Sequence, residues 1–541
     1  MTFVGGSTSP FAMRFEFIHR HTATCAGDLL LTLTNFYKRF SSQEITFSYT
    51  IAFVLSAWSC WWLWRFLIKP AIYPESPRPA QYFIPYVGNL FAMMQSSHGL
   101  YSRIVSRRKD SSIFSITVMG DELYIATSPA DISTILKETK SLTFDPIIRL
   151  ILGEFGMAKE SLDALFEPRQ KYNNRSWMDR QHDIFRSQMH PASDKGEALS
   201  TRILRNIDQS MQSSLLSDAR LLSAVRPGKK ALSLWKLCSH VLVDASTRAF
   251  WGDSLVHIAP DFVDNYLAFD AAYWKRDKSK KDANGCRQKN LIALEKWLRS
   301  PKEERSDASW LVKSLEQDYH DMRITDDAQI AAQYFLYHEV INANAFKSCF
   351  WLLAHVFFDK KLRADLEEEM LPAVQRRDQQ VEVDIHYLLN ECHLLGSVYE
   401  ETLRLCSDPT GIRQVVQETK IGRKTVYPGR KLLMPYRQMH LDDVAFGAST
   451  DQFIATRFLN NKLLSKAENF RPFGGGNGHC PGRFLARREV YMFAAILLIR
   501  FEVELSSSSE MPVIDEKAPT GGILRPVAGH DVLLDVQLRT N

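Results

Sequence analysis

A single cysteine, Cys480, lies in a glycine-rich stretch with the sequence RPFGGGNGHCPGRFLARRE, residues 471–489. Five glycines stand close to it, at positions 474, 475, 476, 478 and 482. Glycines weaken the preference of the backbone for regular structure and let it approach a bound group closely. Pro481 suits the first position of a helix, and the apolar run 484–499 suits a buried one. The stretch therefore predicts a loop that presents a sulfur at the start of a helix.

A cysteine in this position is suited to iron ligation. Backbone N–H groups aimed at the sulfur and the positive end of a helix both stabilise a thiolate. An electron-rich thiolate is one of the axial ligands that proteins offer to iron. From the residues alone, two other interpretations stay open. Cys480 could be an incidental buried cysteine in a glycine-rich turn, or a nucleophile, although no motif supplies the His and Asn or Asp partners that a nucleophile needs.

Composition limits the other classes of function. The chain has 541 residues, of which 45% are hydrophobic and 24% charged, and this is typical of a globular protein with one large domain or two or three small ones. A formal net charge of +5 is small for this length, so we expect no nucleic-acid partner. The eight cysteines include no C-x-x-C pair, which argues against a disulfide framework and a structural zinc site. Reduced thiols and a body that faces the cytosol fit best.

Residues 46–68, TFSYTIAFVLSAWSCWWLWRFLI, form an apolar segment that predicts a transmembrane helix. It carries no charge until Arg65 and is long enough to cross a hydrocarbon core of roughly 30 Å. Tryptophans crowd its end, and Arg65, Lys69 and Arg78 follow, which predicts a cytoplasmic location for the downstream body. A buried core helix is the alternative. A cleaved signal peptide is less favoured, because the segment is too long and begins far from Met1.

The transmembrane segment divides the chain into four parts. Residues 1–45 are an N-terminal extension of unknown role, and residues 69–90 contain five prolines that disfavour helix and predict an extended spacer. Residues 91–541 are the body, in which amphipathic helices alternate with short strand-like pieces in IFSITVM, LYIAT, RQVVQ, KLLMPY and VLLDVQL. The basic run 273–290 is interpreted as a solvated loop. The predicted fold class is mainly α with minor β.

The cysteine loop resembles the haem-binding signature of the cytochrome P-450 family. The pattern F-x-x-G-x-x-x-C-x-G is carried by Phe473, Gly476, Cys480 and Gly482. The resemblance implies a single large cytochrome P-450 fold over residues 91–541, behind the transmembrane anchor. It also implies haem b as the cofactor, with the Cys480 thiolate as the axial ligand and metal-binding residue.

Two further signatures of the same family follow in the expected order. Glu401 and Arg404 in EETLR resemble its E-x-x-R pair, and Arg457 in DQFIATRFL resembles the arginine that completes a buried triad. Taken alone, Glu401 and Arg404 would be a surface i,i+3 pair. A buried glutamate between two arginines adds little net stability but fixes one arrangement of helix and loop. The resemblance therefore implies a structural triad that supports the haem loop.

The propionate contacts of the haem are where this chain departs from the family pattern. Two residues before the cysteine the family usually has Arg or His, and this chain has Gly478. The resemblance then assigns the contacts to His479, one residue further on, and to Arg413 in PTGIRQVV. Arg186 is a weaker candidate, since the W-x-x-x-R element usual in this region is not completed after Trp177.

The distal helix departs from the family at the proton relay. The family's active-site turn usually reads A/G-G-x-D/E-T, and its acid and alcohol relay protons. Aligned on FW at 350–351, this chain has Asn344 in place of the acid and Ala345 in place of the alcohol. An amide does not readily donate a proton, and Ala345 has no polar group. A similar Asn occurs in the branch with cholesterol 7α-hydroxylase and prostacyclin synthase, so it does not settle whether oxygen is activated. An alignment shifted by one turn is the alternative.

The resemblance implies a monooxygenase that oxidises a small apolar molecule with O2 and electrons from a membrane-bound NADPH-cytochrome reductase. GGG before the cysteine and CPGR after it look like fungal microsomal members that tailor secondary metabolites. The implied location is the endoplasmic reticulum membrane, with one membrane pass and a catalytic domain that faces the cytosol. By analogy, Ile341, Ile412 and Ile523 line an apolar pocket.

Two alternative functions remain. Asn344 and Ala345 are compatible with a haem-thiolate isomerase or dehydratase that needs no reductase. A haem-binding sensor or carrier without turnover is a third class, for which no residue speaks directly.

The first testable prediction concerns the anchor. Removing the residues before about Pro74 should release the body from membranes at least in part, because the deletion removes the apolar segment. Fractionation with a carbonate wash checks this, and the full-length chain should stay in the membrane pellet. Full-length protein in the soluble fraction would contradict the prediction.

Overall fold

A computed structural model describes residues 44–108, 113–167, 173, 175–226, 229–273, 275, 278–377, 380–507, 509–518 and 521–539. The extension predicted for residues 1–45 lies outside these residues, except for its last two positions. Helices predominate over strands in the described part, which confirms the predicted class of mainly α with minor β. The chain forms two compact units, one of Met1–Glu154 with Gly411–Gln438 and one of Phe155–Thr410 with Met439–Asn541.

The regular elements are numbered along the chain. The helices are α1 Glu44–Leu63, α2 Lys69–Ile72, α3 Leu90–Gln95, α4 Ser97–Ser106, α5 Pro129–Lys137, α6 Asp145–Glu154, α7 Lys159–Phe166, α8 Trp177–Met189, α9 Asp194–Ser210, α10 Leu234–Trp251, α11 Asp253–Ile258, α12 Phe262–Ala272, α13 Lys278–Arg299, α14 Trp310–Asp321, α15 Asp327–Asn342, α16 Ala345–Phe358, α17 Lys360–Met370, α18 Ile385–Asn390, α19 His393–Cys406, α20 Arg437–His440, α21 Asp443–Phe446, α22 Arg457–Asn460 and α23 Arg483–Arg500. The strands are β1 Arg78–Pro79, β2 Phe114–Val118, β3 Asp121–Ile125, β4 Leu142–Thr143, β5 Leu222–Arg226, β6 Lys229–Ser233, β7 Val374–Arg377, β8 Gln380–Val383, β9 Thr410–Val415, β10 Thr419–Ile421, β11 Lys424–Val426, β12 Lys431–Pro435, β13 Phe501–Leu505 and β14 Leu533–Leu538.

The first unit contains a six-stranded sheet in the order β1-β2-β3-β12-β9-β4. Strand β2 pairs parallel with β1 and antiparallel with β3, which pairs parallel with β12. Every residue of β2 is buried, as expected for a strand covered on both faces. Gly88 packs against this strand at φ +64, and a Cβ there would lie 2.1 Å from the carbonyl oxygen of Thr117. Only glycine fits such a close approach.

The apolar helix of the first unit extends beyond the predicted segment. Helix α1 continues through a π-helical turn, Trp64–Ile68, into α2, and the stretch Tyr49–Ile72 has a mean hydropathy of 1.5 and is only 6% buried. By length and composition it can cross a membrane, and its exposure does not suit a core helix. The extended spacer predicted from residue 69 is wrong for its first turn. Pro70 lies in the first turn of α2, where proline is tolerated.

The second unit is built around α23, which packs against α9, α16 and α18. Nearly all of α23 is buried from Leu485 onward, so the burial predicted for the run 484–499 is confirmed. An antiparallel sheet in the order β13-β14-β6-β5 and the hairpin β7-β8 complete this unit.

The predicted strand-like pieces are confirmed by β2, β3, β9, β12 and β14. The loop predicted over 273–290 is wrong from residue 278, where α13 begins. This helix buries Ala283, Leu294 and Trp297, while a Cβ on Gly285 would meet open space. A glycine inside a helix costs about 1 kcal/mol, which the buried apolar face of α13 offsets.

Candidate functional site

The backbone around Cys480 is shaped by glycines. Gly474 and Gly476 have φ angles of +73 and +60, in the left-handed region that favours glycine. The N–H of Cys480 donates to the carbonyl oxygen of Phe473 at 3.0 Å, and the N–H of His479 donates to that of Gly476 at 3.2 Å. These bonds close a compact loop, so Phe473, Gly476 and Cys480 of the sequence signature lie together.

The sulfur of Cys480 lies at the start of α23. The backbone N–H groups of Gly482 and Arg483 hydrogen-bond to it. Helix α23 begins at Arg483 with Gly482 as its N-cap, so the prediction that Pro481 takes the first helical position is wrong. Pro481 lies in the preceding turn, because the chain needs one more turn to bring two N–H groups onto the sulfur.

The electrostatics of this sulfur fit a bound metal cation. Burial raises the pKa of the Cys480 thiol, and the two backbone N–H groups and the Arg483 guanidinium only partly oppose this effect. A cation bound to the sulfur would stabilise the thiolate at neutral pH. In the part of the chain that the structure describes, no cluster of three or more His, Cys, Asp or Glu side chains could hold a metal ion. Cys480 thus fits a metal that brings its other ligands with it, as haem iron does.

Positive charge surrounds the same loop. Burial lowers the pKa of Arg483, the Cys480 sulfur opposes this effect, and nearby Arg186 lowers the pKa further. The pKa of His479 is lowered by burial first and then by Arg483 and Arg471. Such a concentration of positive charge favours a ligand with anionic substituents, and the propionates of haem are such substituents.

Two other buried donors have no acidic partner. The indole Nε1 of Trp177, on α8, is buried and has no hydrogen-bond partner among the described residues. On β9 of the first unit, burial lowers the pKa of Arg413. Its guanidinium donates to the carbonyl oxygen of Ile412 at 2.8 Å and lies 5.9 Å from the ring centroid of Phe144. Both donors suit an acceptor supplied by a bound group, and the propionate roles of Arg413 and His479 stay predictions.

The three residues of the predicted triad lie together in the second unit. Glu401 accepts hydrogen bonds from Arg404 Nε and NH2, both at 2.8 Å, and from Arg457 Nε at 3.0 and 3.1 Å. The side chains of Glu401 and Arg404 have 0% exposure, and that of Arg457 has 7%. Glu401 and Arg404 are therefore a buried pair and not a surface i,i+3 pair. The charges are desolvated, and they satisfy one another.

His440 connects this triad to the cysteine loop, and the sequence analysis missed it. Arg404 donates to the carbonyl oxygen of His440 at 3.0 Å. The ring Nε2 of His440 accepts the N–H of Arg471, the residue that opens the cysteine loop, at 3.0 Å. One residue therefore bridges the triad and the loop. No motif marks His440, because the contacts that bridge the triad and the loop use its backbone carbonyl and a ring nitrogen in an irregular segment.

The predicted distal helix is interrupted at the expected active-site turn. Helix α15 ends at Asn342, and α16 begins at Ala345 with Asn344 as its N-cap. The side-chain Oδ1 of Asn344 accepts the N–H of Ile523 at 2.8 Å. A Cβ on Gly522 would lie 2.2 Å from the same Oδ1. Asn344 therefore holds the backbone of the segment 522–523, which requires glycine at position 522.

The remaining distal positions are apolar. Ala345 offers no polar group, and Ile341 is half-buried. Val340, which the sequence analysis missed, is 60% exposed although most of α15 before it is buried. Ile523 is buried, and Ile412 packs against the core of the first unit. Val340 and Ile341 therefore leave apolar surface exposed at the end of α15.

A buried ionic cluster lies beside this turn. Lys347 Nζ lies 3.1 Å from Asp270 Oδ1, and Arg525 lies 3.5 Å from Asp270 Oδ2. Burial and then Asp270 raise the pKa of Glu339 to about 7, against the opposing effects of Lys347, Tyr266 and Arg525. Glu339 thus exchanges a proton near neutral pH.

Comparisons with known proteins agree with this geometry. The family model for cytochrome P450 matches residues 345–534, a range that holds the triad, the cysteine loop and Gly522. The cytochrome P450 monooxygenase poxD of Penicillium oxalicum is 24% identical over 84% of this chain and 92% of its own length. The monooxygenase nodJ of Hypoxylon pulicicidum is 22% identical over 88% and 90%. A cytochrome P450 monooxygenase of Gibberella zeae is 31% identical over 44% of this chain and 47% of its own length.

The second prediction concerns the triad. Glu401→Gln should lower the free energy of unfolding by about 3–5 kcal/mol, because it leaves two buried guanidiniums without their carboxylate. Urea unfolding of the solubilised protein measures the change. Glu367→Gln is the matched control. Glu367 pairs with Arg363 and Arg539 at a partly exposed site, so its loss should cost about 1 kcal/mol or less. Equal losses in the two variants would contradict the structural role of the triad.

The third prediction concerns the contact between Asn344 and Gly522. Gly522→Ala should destabilise the protein, because the new Cβ would overlap Asn344 Oδ1, whereas Gly521→Ala meets open space and serves as the control. Removing the amide in Gly522→Ala/Asn344→Ala should recover much of the loss. Thermal midpoints of Gly522→Ala, Asn344→Ala and the double variant give the coupling free energy between the two positions, which is expected at about 1 kcal/mol or more. Additive effects would show that the two residues do not meet.

Proposed function

Because the chain belongs to the cytochrome P450 family, we propose that it is a haem-thiolate monooxygenase that oxidises a small apolar molecule with O2 and electrons from an NADPH-cytochrome reductase. One observation carries the proposal. The sulfur of the half-buried Cys480 receives two backbone N–H groups and an arginine charge, and the described residues around it form no other set of metal ligands. Haem held by a thiolate supplies the oxygen-activating chemistry when it is bound.

The residues on the cysteine side hold and tune the ligand. Hydrogen bonds from Gly482 and Arg483 withdraw charge from the Cys480 sulfur, and such bonds set the reduction potential of a thiolate-ligated metal. The triad and His440 hold Arg471, which begins the loop, so they would keep the Cys480 sulfur in position to hold the haem. Arg186, Arg471 and Arg483 give the loop the positive charge that suits haem propionates, and His479 can offer a ring N–H to a propionate as a neutral donor.

On the opposite side, Asn344 positions the segment 522–523, and Ala345 contributes no proton. Proton exchange then falls to Glu339, five residues before Asn344, whose pKa of about 7 allows it to gain and lose a proton at neutral pH. A side-chain hydrogen bond joins this carboxyl to Tyr266, whose hydroxyl is a proton donor and acceptor beside it.

The proposed substrate is a small apolar molecule, and the proposed setting is fungal secondary metabolism. Val340 and Ile341 present apolar surface on α15, which supports an apolar ligand. The relatives from Penicillium oxalicum, Hypoxylon pulicicidum and Penicillium decumbens are fungal monooxygenases, which supports the fungal type.

The apolar helix Tyr49–Ile72 supports a membrane-bound enzyme. We place the protein in the endoplasmic reticulum membrane with one pass. Lys69 lies in the last turn of this helix and Arg78 follows it, which favours a cytosolic catalytic domain that can meet a reductase.

The fourth prediction tests the ligand and the electron donor without knowledge of the substrate. With carbon monoxide, the wild type reduced by NADPH and a cytochrome reductase should show the red-shifted Soret band of thiolate-ligated haem. Cys480→Ala should lose this band, and Cys286→Ala, which changes a partly buried cysteine outside the loop, should keep it. A normal band in Cys480→Ala would rule out this ligand, and reduction by dithionite but not by the reductase would rule out this donor.

Isotopically heavy O2 separates the proposal from the reductase-independent isomerase or dehydratase that Asn344 and Ala345 leave open. Metabolites of an expressing strain are compared with those of a strain that carries Cys480→Ala. A monooxygenase product should gain one labelled oxygen atom. A product without label, formed with oxygen and reductase absent, would overturn the mechanism and leave the haem-thiolate ligand intact.

A further inference from the structure

A cavity of about 500 Å³ lies in the first unit, where the apolar helix meets the starts of the central strands β3 and β12. Its lining comes from three places. The helix contributes Trp61 and Arg65, the segment before α3 contributes Tyr82 and Tyr86, and the sheet contributes acidic and basic residues at the start of β3, at the start of β12 and in the turn before β12. None of the residues assigned to haem or substrate lines this cavity.

The charges of this cavity are arranged around Glu122. Its Oε1 lies 3.0 Å from Arg65, its Oε2 lies 3.1 Å from Arg430 Nε, and the Ser115 hydroxyl donates to it at 2.8 Å. Burial acts to raise the pKa of Glu122, but Arg65, Ser115 and Arg430 outweigh it and hold the pKa below its usual value. The carboxylate is therefore ionised between two guanidiniums, which leaves one positive charge in excess.

That excess charge is accessible at Arg430. Its side chain is 36% exposed and lines the cavity, and its ion pair with Glu122 is made through Nε. Asp121 and Lys431 also line the cavity and carry opposite charges, so the excess is unchanged. A guanidinium with this freedom suits a phosphate.

The other wall of the cavity is aromatic. The ring centroids of Trp61 and Tyr82 are 5.6 Å apart, with the ring planes tilted by 52°. Tyr86 has a φ of 68 and packs over Gly120, where a Cβ would lie 2.8 Å from the ring carbon Cε2. Three aromatic side chains around one cavity form the kind of site that binds a quaternary ammonium group. The strained backbone of Tyr86 fixes its ring in this wall.

The cavity lies at the level of the membrane headgroups if the apolar helix spans the bilayer. Arg65 follows Trp61 by about 6 Å along the helix, and both are near the end at which tryptophan and arginine favour the interface. Phe83 and Ile84, beside the cavity wall, are 76% and 52% exposed. Exposed apolar residues at this position suit contact with lipid.

We propose that this cavity binds the headgroup of a zwitterionic phospholipid, with the phosphate on Arg430 and the quaternary ammonium against Trp61, Tyr82 and Tyr86. A group with a phosphate and an ammonium a few ångströms apart matches the guanidinium and the aromatic wall together, and neither charge alone does so. This inference rests on the membrane placement given under the proposed function. The bound lipid would hold the end of the apolar helix to the starts of β3 and β12.

The fifth prediction uses the full-length haem protein in a phospholipid-free detergent, with soluble phosphocholine as the probe in calorimetric titration. Phosphocholine should bind saturably, and inorganic phosphate and choline should each bind at least about tenfold more weakly. Arg430→Gln and Tyr86→Ala should each weaken phosphocholine binding by about five- to tenfold, because one removes the anion contact and the other part of the aromatic wall. The matched controls, Arg423→Gln and Phe91→Ala, change an exposed arginine of the β10-β11 turn and an exposed aromatic of α3 outside the cavity, and should bind as wild type.

Four results would overturn the inference. The first three are no saturable binding of phosphocholine, binding of inorganic phosphate as tight as that of phosphocholine, and unchanged phosphocholine binding in both cavity variants. The fourth is weaker binding of dihexanoyl phosphatidylcholine than of phosphocholine, which would indicate a free metabolite as the ligand. The carbonate wash and the carbon monoxide spectrum are measured on the same preparations. If the protein stays in membranes and shows the thiolate band but does not bind phosphocholine, only the phospholipid inference is overturned and the proposed function is unaffected.

Discussion

The carboxylate of Glu401, held without water between two guanidiniums, is the interaction on which the rest of the site depends. The two arginines and Glu401 together carry a net charge of +1. Backbone carbonyl oxygens accept the arginine hydrogen bonds that the Glu401 carboxylate does not. Arg404 donates to those of His440 and Thr450, and Arg457 to that of Ser449. A buried arginine must satisfy all its donors, so these bonds fix the path of a segment that has little regular structure. The cysteine loop begins where this segment ends.

This dependence explains how an irregular stretch can hold the sulfur of Cys480 in one place. Between α20 and α23 only short helices occur among the described residues, and such a stretch has little packing of its own. The ring of His440 accepts the N–H of Arg471 and so connects the triad to the loop. Gly474 and Gly476 then turn the chain. Cys480 reaches the start of α23 with its sulfur on two N–H groups. The long buried helix α23 anchors the other end of the loop in the core.

The sequence predicted the parts of this site that depend on short spacing. Glu401 and Arg404 share one turn of α19, and Phe473 and Cys480 share one loop, so each pair is visible as a local pattern. The partner of Asn344 was not visible, because Ile523 is 179 residues away and contributes only its backbone N–H. The helix over the basic run was missed for a different reason. Its charges and Gly285 resemble a loop, and only the burial of Ala283, Leu294 and Trp297 shows that one face of α13 is in the core.

The first unit shows why an arginine can stand in the last turns of an apolar helix. Arg65 would be costly in lipid, but its partner Glu122 lies on β3, and the ion pair is only 15% and 16% exposed. The pair therefore links the helix to the sheet as well as neutralising its charge. Strand β3 is next to β12, and β12 is next to β9, which carries Arg413. A displacement of the helix end would act on a strand two places from the arginine predicted to meet a propionate. The hydrogen-bonded ladder of this sheet therefore joins the end of the apolar helix to the strand that carries the predicted haem contact.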